Sequence, residues 1–375
     1  MTATPWGDPR DLHARTRPAA DDGGTVRERV HAAMVTAVAE RGYDAIREDD
    51  LAELAGVTRA AFDAEFDDRL GCFVATLEAT LELAAAAATA AVRPEADWRA
   101  RIELSFQALL EFVAAYPAAA RLCLVDVYAA GPAAVAALDR RTRTVGRWAI
   151  STIEQSPERA SMPRDIVRAA VGGVRHIVQA RIMAGRTSEL PGLAPALVDW
   201  LLTYRTPPVD LPPAIAGAPP PPEDVRDRRG LDRSSRVAAL EESVVRMRDT
   251  AVRAYRAAPD WTRGVRDGLR ALLEYLSTHP AEARLATEVV WAGPAVRARF
   301  DALAVGFAIQ LAEGLRGRSP APGLAAEAIG FSIATLIFER TTRQGPEQLE
   351  EIGPVATFVA LAPAVGAIEA CAVVE

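Results

Sequence analysis

Residues 27–73 read RERVHAAMVTAVAERGYDAIREDDLAELAGVTRAAFDAEFDDRLGCF, and this stretch decides the fold of the N-terminal part of the chain. Val30, Met34 and Val38 recur at the spacing of one face of a helix. A glycine after such a run is a common helix terminator. The pattern therefore predicts a first helix that stops at Gly42.

Two shorter helices are predicted after the first. The second ends at Gly56, and its apolar residues are Leu51, Leu54 and Ala55. Thr58 is a good N-cap for a third helix, in which Phe62 and Phe66 lie one turn apart on the buried face. Two short helices joined through AGVT form a helix-turn-helix, whose second helix enters the major groove of DNA.

This segment resembles the TetR family of regulators. The matching elements are AERGYDA, the DLAELAGVT segment, Phe62, Phe66 and the long helix that follows, and they lie within residues 25–72. The resemblance implies an N-terminal DNA reader that binds an operator, a helical ligand-binding and dimerising domain, and repression that a small molecule relieves. Because family members commonly dimerise through their last two helices, it also implies a homodimer or, in a duplicated chain, an intramolecular pseudo-dimer.

The sequence departs from the family pattern on the side that would face DNA. Asp63 and Glu65 stand where the family usually has Tyr and another aromatic residue or His. Arg47 replaces the usual Thr cap of the second helix, and Asp67 and Asp68 replace a basic residue. Carboxylates at these positions would be repelled by the phosphate backbone.

The charge balance of residues 25–72 is six Arg against eleven carboxylates, which is unfavourable for releasing counterions from phosphate. Residues expected to contact DNA are Arg47, Thr58, Arg59, Ala60, Asp63 and Arg69, with Arg10, Arg15 and Arg17 as an arm for the minor groove. Two interpretations stay open. The helix-turn-helix either binds DNA in a working repressor, or it is a vestige kept in a ligand sensor or protein-interaction module.

Composition places the chain among soluble globular proteins, since 50% of its residues are apolar and 25% are charged. The net charge of −7 argues against broad attraction to nucleic acid or anionic membranes, although it leaves room for a local basic site. The three cysteines form no CxxC pair and are expected to be reduced thiols. The apolar stretches Leu83–Val92 and Val355–Ile368 are shorter than the ~20 residues that span a bilayer, so a cytoplasmic protein without membrane contact is expected.

Two later segments repeat each other. Residues 97–121 read DWRARIELSFQALLEFVAAYPAAAR and residues 260–284 read DWTRGVRDGLRALLEYLSTHPAEAR, in register at a separation of 163. Trp98 and Trp261 match, as do the ALLE tetrads and Pro117 with Pro280, and rare residues in register indicate a duplicated helical domain. The helix-turn-helix has no second copy, because a Pro-rich linker occupies its place.

The predicted fold class is all-α, with an N-terminal three-helix reader followed by two related helical bundles. The predicted domains are a flexible arm at 1–24, the helix-turn-helix at 25–72, a first helical ligand-binding and dimerisation domain at 73–205, the linker at 206–233, and a second helical domain at 234–375.

No catalytic, cofactor or metal motif is found, so neither enzymatic activity nor a cofactor is expected. The expected effector is small and apolar, and candidates for its pocket are Phe106, Tyr128, His176, Trp291 and Phe331. At helical spacing such residues are more often core, and His176 more often lies at a helix surface. Gly172 and Gly173, with Gly330 in the second copy, would let helices approach closely between the copies; ordinary helix packing explains them equally well.

Overall fold

A computed structural model describes residues 24–215, 233–288 and 308–374, and within these ranges the chain forms helices and no strand. The predicted all-α class is confirmed. The helices are α1 (Val26–Arg41), α2 (Glu48–Ala55), α3 (Arg59–Asp63), α4 (Arg69–Ala90), α5 (Trp98–Ala115), α6 (Pro117–Arg121), α7 (Val127–Ala130), α8 (Pro132–Ile153), α9 (Arg164–Met183), α10 (Leu190–Leu201), α11 (Arg233–Ala257), α12 (Trp261–Thr278), α13 (Pro280–Glu288), α14 (308–315), α15 (Pro322–Gln344), α16 (Gly353–Val365) and α17 (Ala367–Val374).

Helix ends near the N-terminus follow from local sequence. Gly42 ends α1 with a φ of 73°, and Gly56 ends α2 in the left-handed conformation with φ 63° and ψ 37°, both of which favour glycine. Both predicted ends are confirmed. The third helix is shorter than the predicted run to Phe66, because regular helix stops at Asp63 and a turn follows.

Contacts between Cα atoms divide the chain into two compact units. The first comprises the described residues within Met1–Ala96, Leu104–Val145 and Arg181–Gly192. The second comprises those within Asp97–Glu103, Gly146–Ala180 and Leu193–Glu375. The predicted domain boundaries rest on repeated sequence and not on contacts, and they stay a prediction.

One hydrophobic core fills the first unit and joins the helix-turn-helix to residues 122–138. Met34, Leu51 and Phe62 are fully buried in it together with Leu122. Residues Leu122–Asp126 form a π-helical turn between α6 and α7, a rare backbone form that often occurs at functional segments. Helices α1–α4 thus share their core with a segment of the predicted ligand-binding domain.

In the second unit, helices from both sides of the linker pack against each other. Gly173 of α9 approaches α15 so closely that a Cβ atom placed on it would lie 2.5 Å from the carbonyl oxygen of Ala328. A Cβ on Gly172 would lie 2.8 Å from Cβ of Thr335. The two glycines therefore set the distance between α9 and α15.

Gly173→Ala is expected to lower the free energy of unfolding by about 1–3 kcal/mol, because the new methyl group overlaps a backbone atom that cannot turn aside. Gly192→Ala in α10 is the matched control, since its Cβ would meet no atom within 4 Å and the change removes a helix penalty of up to about 1 kcal/mol. Urea unfolding followed by circular dichroism measures both. Equal stability of the two variants would contradict the close approach.

The two repeated segments have matching local geometry. The hydroxyl of Ser105 donates to the carbonyl oxygen of Ala88 at 3.3 Å. At the positions 163 residues later, a Cβ on Gly268 would lie 3.1 Å from the carbonyl oxygen of Ala251, so α4 meets α5 in the same register in which α11 meets α12.

The bend after the second helix of each hairpin also matches. Tyr116 has φ −124° and ψ 60°, and His279 has φ −124° and ψ 64°. Each contacts an aromatic ring one turn earlier. Tyr116 lies tilted at 53° to Phe112 with centroids 4.9 Å apart, and His279 stacks on Tyr275 with centroids 4.1 Å apart.

Side-chain chemistry near this bend differs between the repeats. In the second, the Tyr275 hydroxyl donates to Glu282 at 2.9 Å, and Arg246 donates to the same carboxylate at 3.0 Å. The positions 163 residues earlier hold Phe112 in place of Tyr275 and Ala119 in place of Glu282, which form no such network.

Among the described residues, α4 and α15 are long and apolar enough to cross a membrane by length and composition, and a third span would be counted if the bent pair Trp98–Ala115 and Pro117–Ala130 were taken as one. The expectation from the sequence considered only uninterrupted apolar runs and therefore did not single out these two helices. One side of each helix is buried against protein, for example at Phe73 of α4 and Phe331 of α15.

Candidate nucleic-acid interface

The turn between α2 and α3 is held by hydrogen bonds of its own backbone and side chains. The N–H of Val57 donates to the carbonyl oxygen of Ala52 at 2.9 Å. The hydroxyl of Thr58 accepts from the N–H of Ala61 at 3.2 Å, which makes Thr58 the N-cap that the sequence predicted. Phe62 is fully buried and fixes the inner face of α3 against the core.

The structure places four of the predicted DNA-contacting residues on or beside α3. Thr58, Arg59, Ala60 and Asp63 are all exposed. Arg47 lies just before α2 with its side chain 82% exposed, 3.8 Å from the Asp50 carboxylate. The predicted contacts are thus brought to one small surface, apart from Arg69.

Arg59 is surrounded by carboxylates. Its guanidinium donates to Glu48 at 2.6 Å, to Asp49 at 3.0 Å and to Asp63 at 2.7 Å. Hydrogen bonds to Asp63 first, and then to Asp49, raise the pKa of Arg59 above its usual range. The exposed cation of α3 is therefore engaged by carboxylates of the chain itself.

Arg69 stabilises the fold through contacts within the chain. Its guanidinium donates to the carbonyl oxygens of Ile46 at 2.5 Å and Tyr43 at 3.3 Å, and it lies 4.3 Å from the centroid of the Tyr43 ring. These contacts tie the start of α4 to the segment before α2. Arg69 as a DNA contact stays a prediction, although its Nη1 already donates to these two carbonyl oxygens.

Two further arginines of α1 reach the helix-turn-helix, and the sequence analysis gave them no role. Arg27 donates to the Glu65 carboxylate at 2.9 Å, and Arg29 donates to the carbonyl oxygen of Gly56 at 3.2 Å. Each partner is more than 25 positions away in the sequence, so helical spacing could not reveal either contact. Glu65 is thereby neutralised by an internal cation.

Behind this surface, His31 of α1 is buried and bonded to α4. Its Nδ1 lies 2.6 Å from the Thr76 hydroxyl, which itself donates to the carbonyl oxygen of Cys72 at 2.8 Å. The Thr76 oxygen therefore accepts from Nδ1–H, and the imidazole is the neutral Nδ1–H tautomer. Burial, assisted by Arg27, lowers the pKa of His31 to about 4.

The predicted pocket residues fall in both units. Phe106 and Tyr128 are half-buried in the first. In the second, His176 stacks on Phe331 with centroids 5.3 Å apart, and Trp291 lies outside the described residues. Arg10, Arg15 and Arg17 of the predicted arm also lie outside them. The ligand pocket stays a prediction.

No protein-family model matches the chain, and no curated protein matches it. Over about half its length the chain is similar to solved regulators. The fatty acid degradation regulator FadR from Bacillus halodurans is 13% identical with a TM-score of 0.44, covering 48% of this chain and 97% of that chain. FadR from Bacillus subtilis, solved in complex with stearoyl-CoA, is 15% identical with a TM-score of 0.42, covering 46% and 96%. A TetR family regulator from Marinobacter aquaeolei VT8 is 20% identical with a TM-score of 0.39, covering 46% and 93%.

Proposed function

We propose that this protein is a TetR-type transcriptional regulator that binds operator DNA through α2 and α3. The observation that carries the proposal is the complete helix-turn-helix, in which Gly56 ends α2, Thr58 caps α3 and Phe62 anchors α3 in the core. In such a unit the exposed side chains near the start of the second helix reach base edges in the major groove. Here these side chains are Thr58, Arg59, Ala60 and Asp63.

We further propose that the remaining helices are two copies of one ligand-binding domain, at 73–205 and 234–375, and that they respond to a small apolar effector. The matching hairpin registers at Ser105 and Gly268, and the matching bends at Tyr116 and His279, support the duplication. Such a regulator would act in the cytoplasm, where its DNA lies.

A second candidate function is favoured by one observation, the three carboxylates around Arg59. To contact a phosphate, Arg59 has to leave or share these partners, which weakens the sequence-independent part of DNA binding. On this alternative the protein is a ligand sensor or protein-interaction module whose helix-turn-helix no longer binds DNA.

Titrating the full chain against DNA from beside its own gene, at increasing salt, separates the two candidates. For the regulator we expect binding at low salt, and for Arg59→Ala a weaker affinity with a salt slope smaller by about 1. Arg99→Ala is the matched control, because Arg99 is 52% exposed and ion-paired, as Arg59 is at 46%. A folded wild-type protein that does not bind at low salt would overturn the regulator and support the alternative.

Asp63→Asn is expected to tighten DNA binding about fivefold at low ionic strength. A unit charge about 4 Å from another contributes ~1 kcal/mol in water, and this charge faces the phosphates. Asp199→Asn is the control, since its side chain is 49% exposed and ion-paired, against 50% for Asp63. Fluorescence anisotropy measures both affinities. An unchanged affinity of Asp63→Asn would mean that this surface does not approach DNA.

A further inference from the structure

The second unit contains helices from both predicted copies. α9 precedes the linker and α15 follows it, and they touch where Gly172 meets Thr335 and Gly173 meets Ala328 and Ser332. One turn along α9, His176 donates to the carbonyl oxygen of Gly172 at 2.9 Å while its ring stacks on Phe331. The contact continues along at least one turn of both helices.

The segment that follows α10 is joined to α16. The Tyr204 hydroxyl, just beyond α10, donates to the carbonyl oxygen of Val359 in α16 at 2.9 Å. Burial of Tyr204 raises the pKa of this phenol, so it stays a donor. Two successive parts of the first copy, α9 and the segment after α10, therefore contact α15 and α16 of the second copy.

The start of the linker is bonded to both long helices. Asp165 of α9 accepts from the N–H groups of Ala214 at 2.8 Å and Ile215 at 3.2 Å. Arg340 of α15, 2% exposed, donates to the carbonyl oxygen of Ala214 at 3.1 Å. One short stretch of the same chain therefore connects α9 to α15.

From these contacts we infer that the two copies pair within a single chain as an intramolecular pseudo-dimer, with α9 and the segment after α10 of the first copy covered by α15 and α16 of the second. The partner of both is the chain's own second copy, so neither is available to another molecule. The protein is then a monomer. It has one helix-turn-helix, because the linker at 206–233 is shorter than the helix-turn-helix segment at 25–72.

What this pairing implies for the stoichiometry of DNA binding rests on the proposed function. A palindromic operator is bound by two helix-turn-helix units about 34–36 Å apart, and a monomer with one such unit binds a single half-site. Binding should then be one chain to one half-site. A second, inverted half-site should raise the apparent affinity by no more than the statistical factor of about two.

Pairing is tested without DNA by the double variant Gly172→Cys and Thr335→Cys, treated with a mild oxidant. A disulfide places its Cβ atoms about 3.5–4.5 Å apart, slightly more than the 2.8 Å between these positions. The two thiols lose two protons and two electrons to the oxidant and form one S–S bond. The three native cysteines are buried, and the single-cysteine variants are the controls.

We expect a cross-linked band that runs as one chain on a non-reducing gel, and a mass near 40.0 kDa for the wild type by light scattering at micromolar concentration. A cross-link between two chains, or no cross-link from a double variant that melts like the wild type, would overturn internal pairing. Monomeric protein with an intrachain cross-link but no DNA binding would refute the proposed function alone. Cooperative binding of two chains to a palindromic operator would overturn the inference that one chain binds one half-site.

Discussion

Phe62→Ala is expected to destabilise the first unit by about 3–5 kcal/mol and to abolish DNA binding. The ring is fully buried, lies 5.5 Å from the ring of Phe66, and is the only buried residue among the five of α3. Removing it takes away the apolar transfer free energy and leaves a cavity that α3, with one turn and a half of helix, cannot close by itself. A loss of this size is a large share of the 5–15 kcal/mol that holds a typical domain together.

Hydrogen exchange measured by mass spectrometry is suited to this variant, because it reports α1–α4 separately from the rest of the chain. Amides of α1, α2 and α4 should exchange faster by a factor that corresponds to the lost free energy. Phe106→Ala is the control, since Phe106 is half-buried in α5 outside the reader. Unchanged protection of α1–α4 in Phe62→Ala would show that α3 is not anchored by this ring.

Acid is expected to destabilise the core of the N-terminal helices, because His31 takes up a proton on unfolding. The pKa of His31 is about 4 in the folded protein, against 6.5 for an ordinary histidine, so between these values the unfolded chain binds a proton that the folded chain does not. Stability is therefore complete above pH 6.5 and is lost as the pH falls toward 4. The full loss from this one group is at most about 3 kcal/mol.

His31→Asn isolates this contribution, because asparagine can donate to Thr76 as Nδ1–H does but takes up no proton. Unfolding by urea at pH values from 7.5 to 4.5 should give a shallower pH dependence for the variant than for the wild type. Carboxylates titrate in both proteins, so their effect cancels in the difference. Parallel curves would show that the imidazole is not held neutral.

The local sequence predicted the backbone conformation of the N-terminal helices but not the ion pairs on their surface. Gly42, Gly56 and Thr58 act through their own conformations or through partners three or four residues away, so composition and spacing reveal them. Two of the three carboxylate partners of Arg59 could not be found in this way. Glu48 and Asp49 lie on α2, ten or more positions away, and become neighbours only when the turn folds.

The departures from the family pattern acquire physical partners in the structure. Asp63 pairs with Arg59 and Glu65 with Arg27, so each carboxylate at the expected aromatic positions is matched by an arginine of the same unit. Helical spacing reveals the first pair, since Asp63 lies four residues after Arg59, but not the second, since Glu65 lies 38 residues after Arg27. The shared core of the reader and residues 122–138 was likewise beyond local patterns, because it depends on contacts between distant segments.

The hydrogen-bonded group of Arg246, Tyr275 and Glu282 has apolar counterparts at Phe112 and Ala119 in the first repeat. In an assembly of two identical chains, every substitution appears on both sides of the symmetry axis and has to be tolerated twice. Two copies encoded in one gene are free of that restriction, since each mutates alone. One copy can then specialise in recognising a molecule while the other keeps only the packing that supports it.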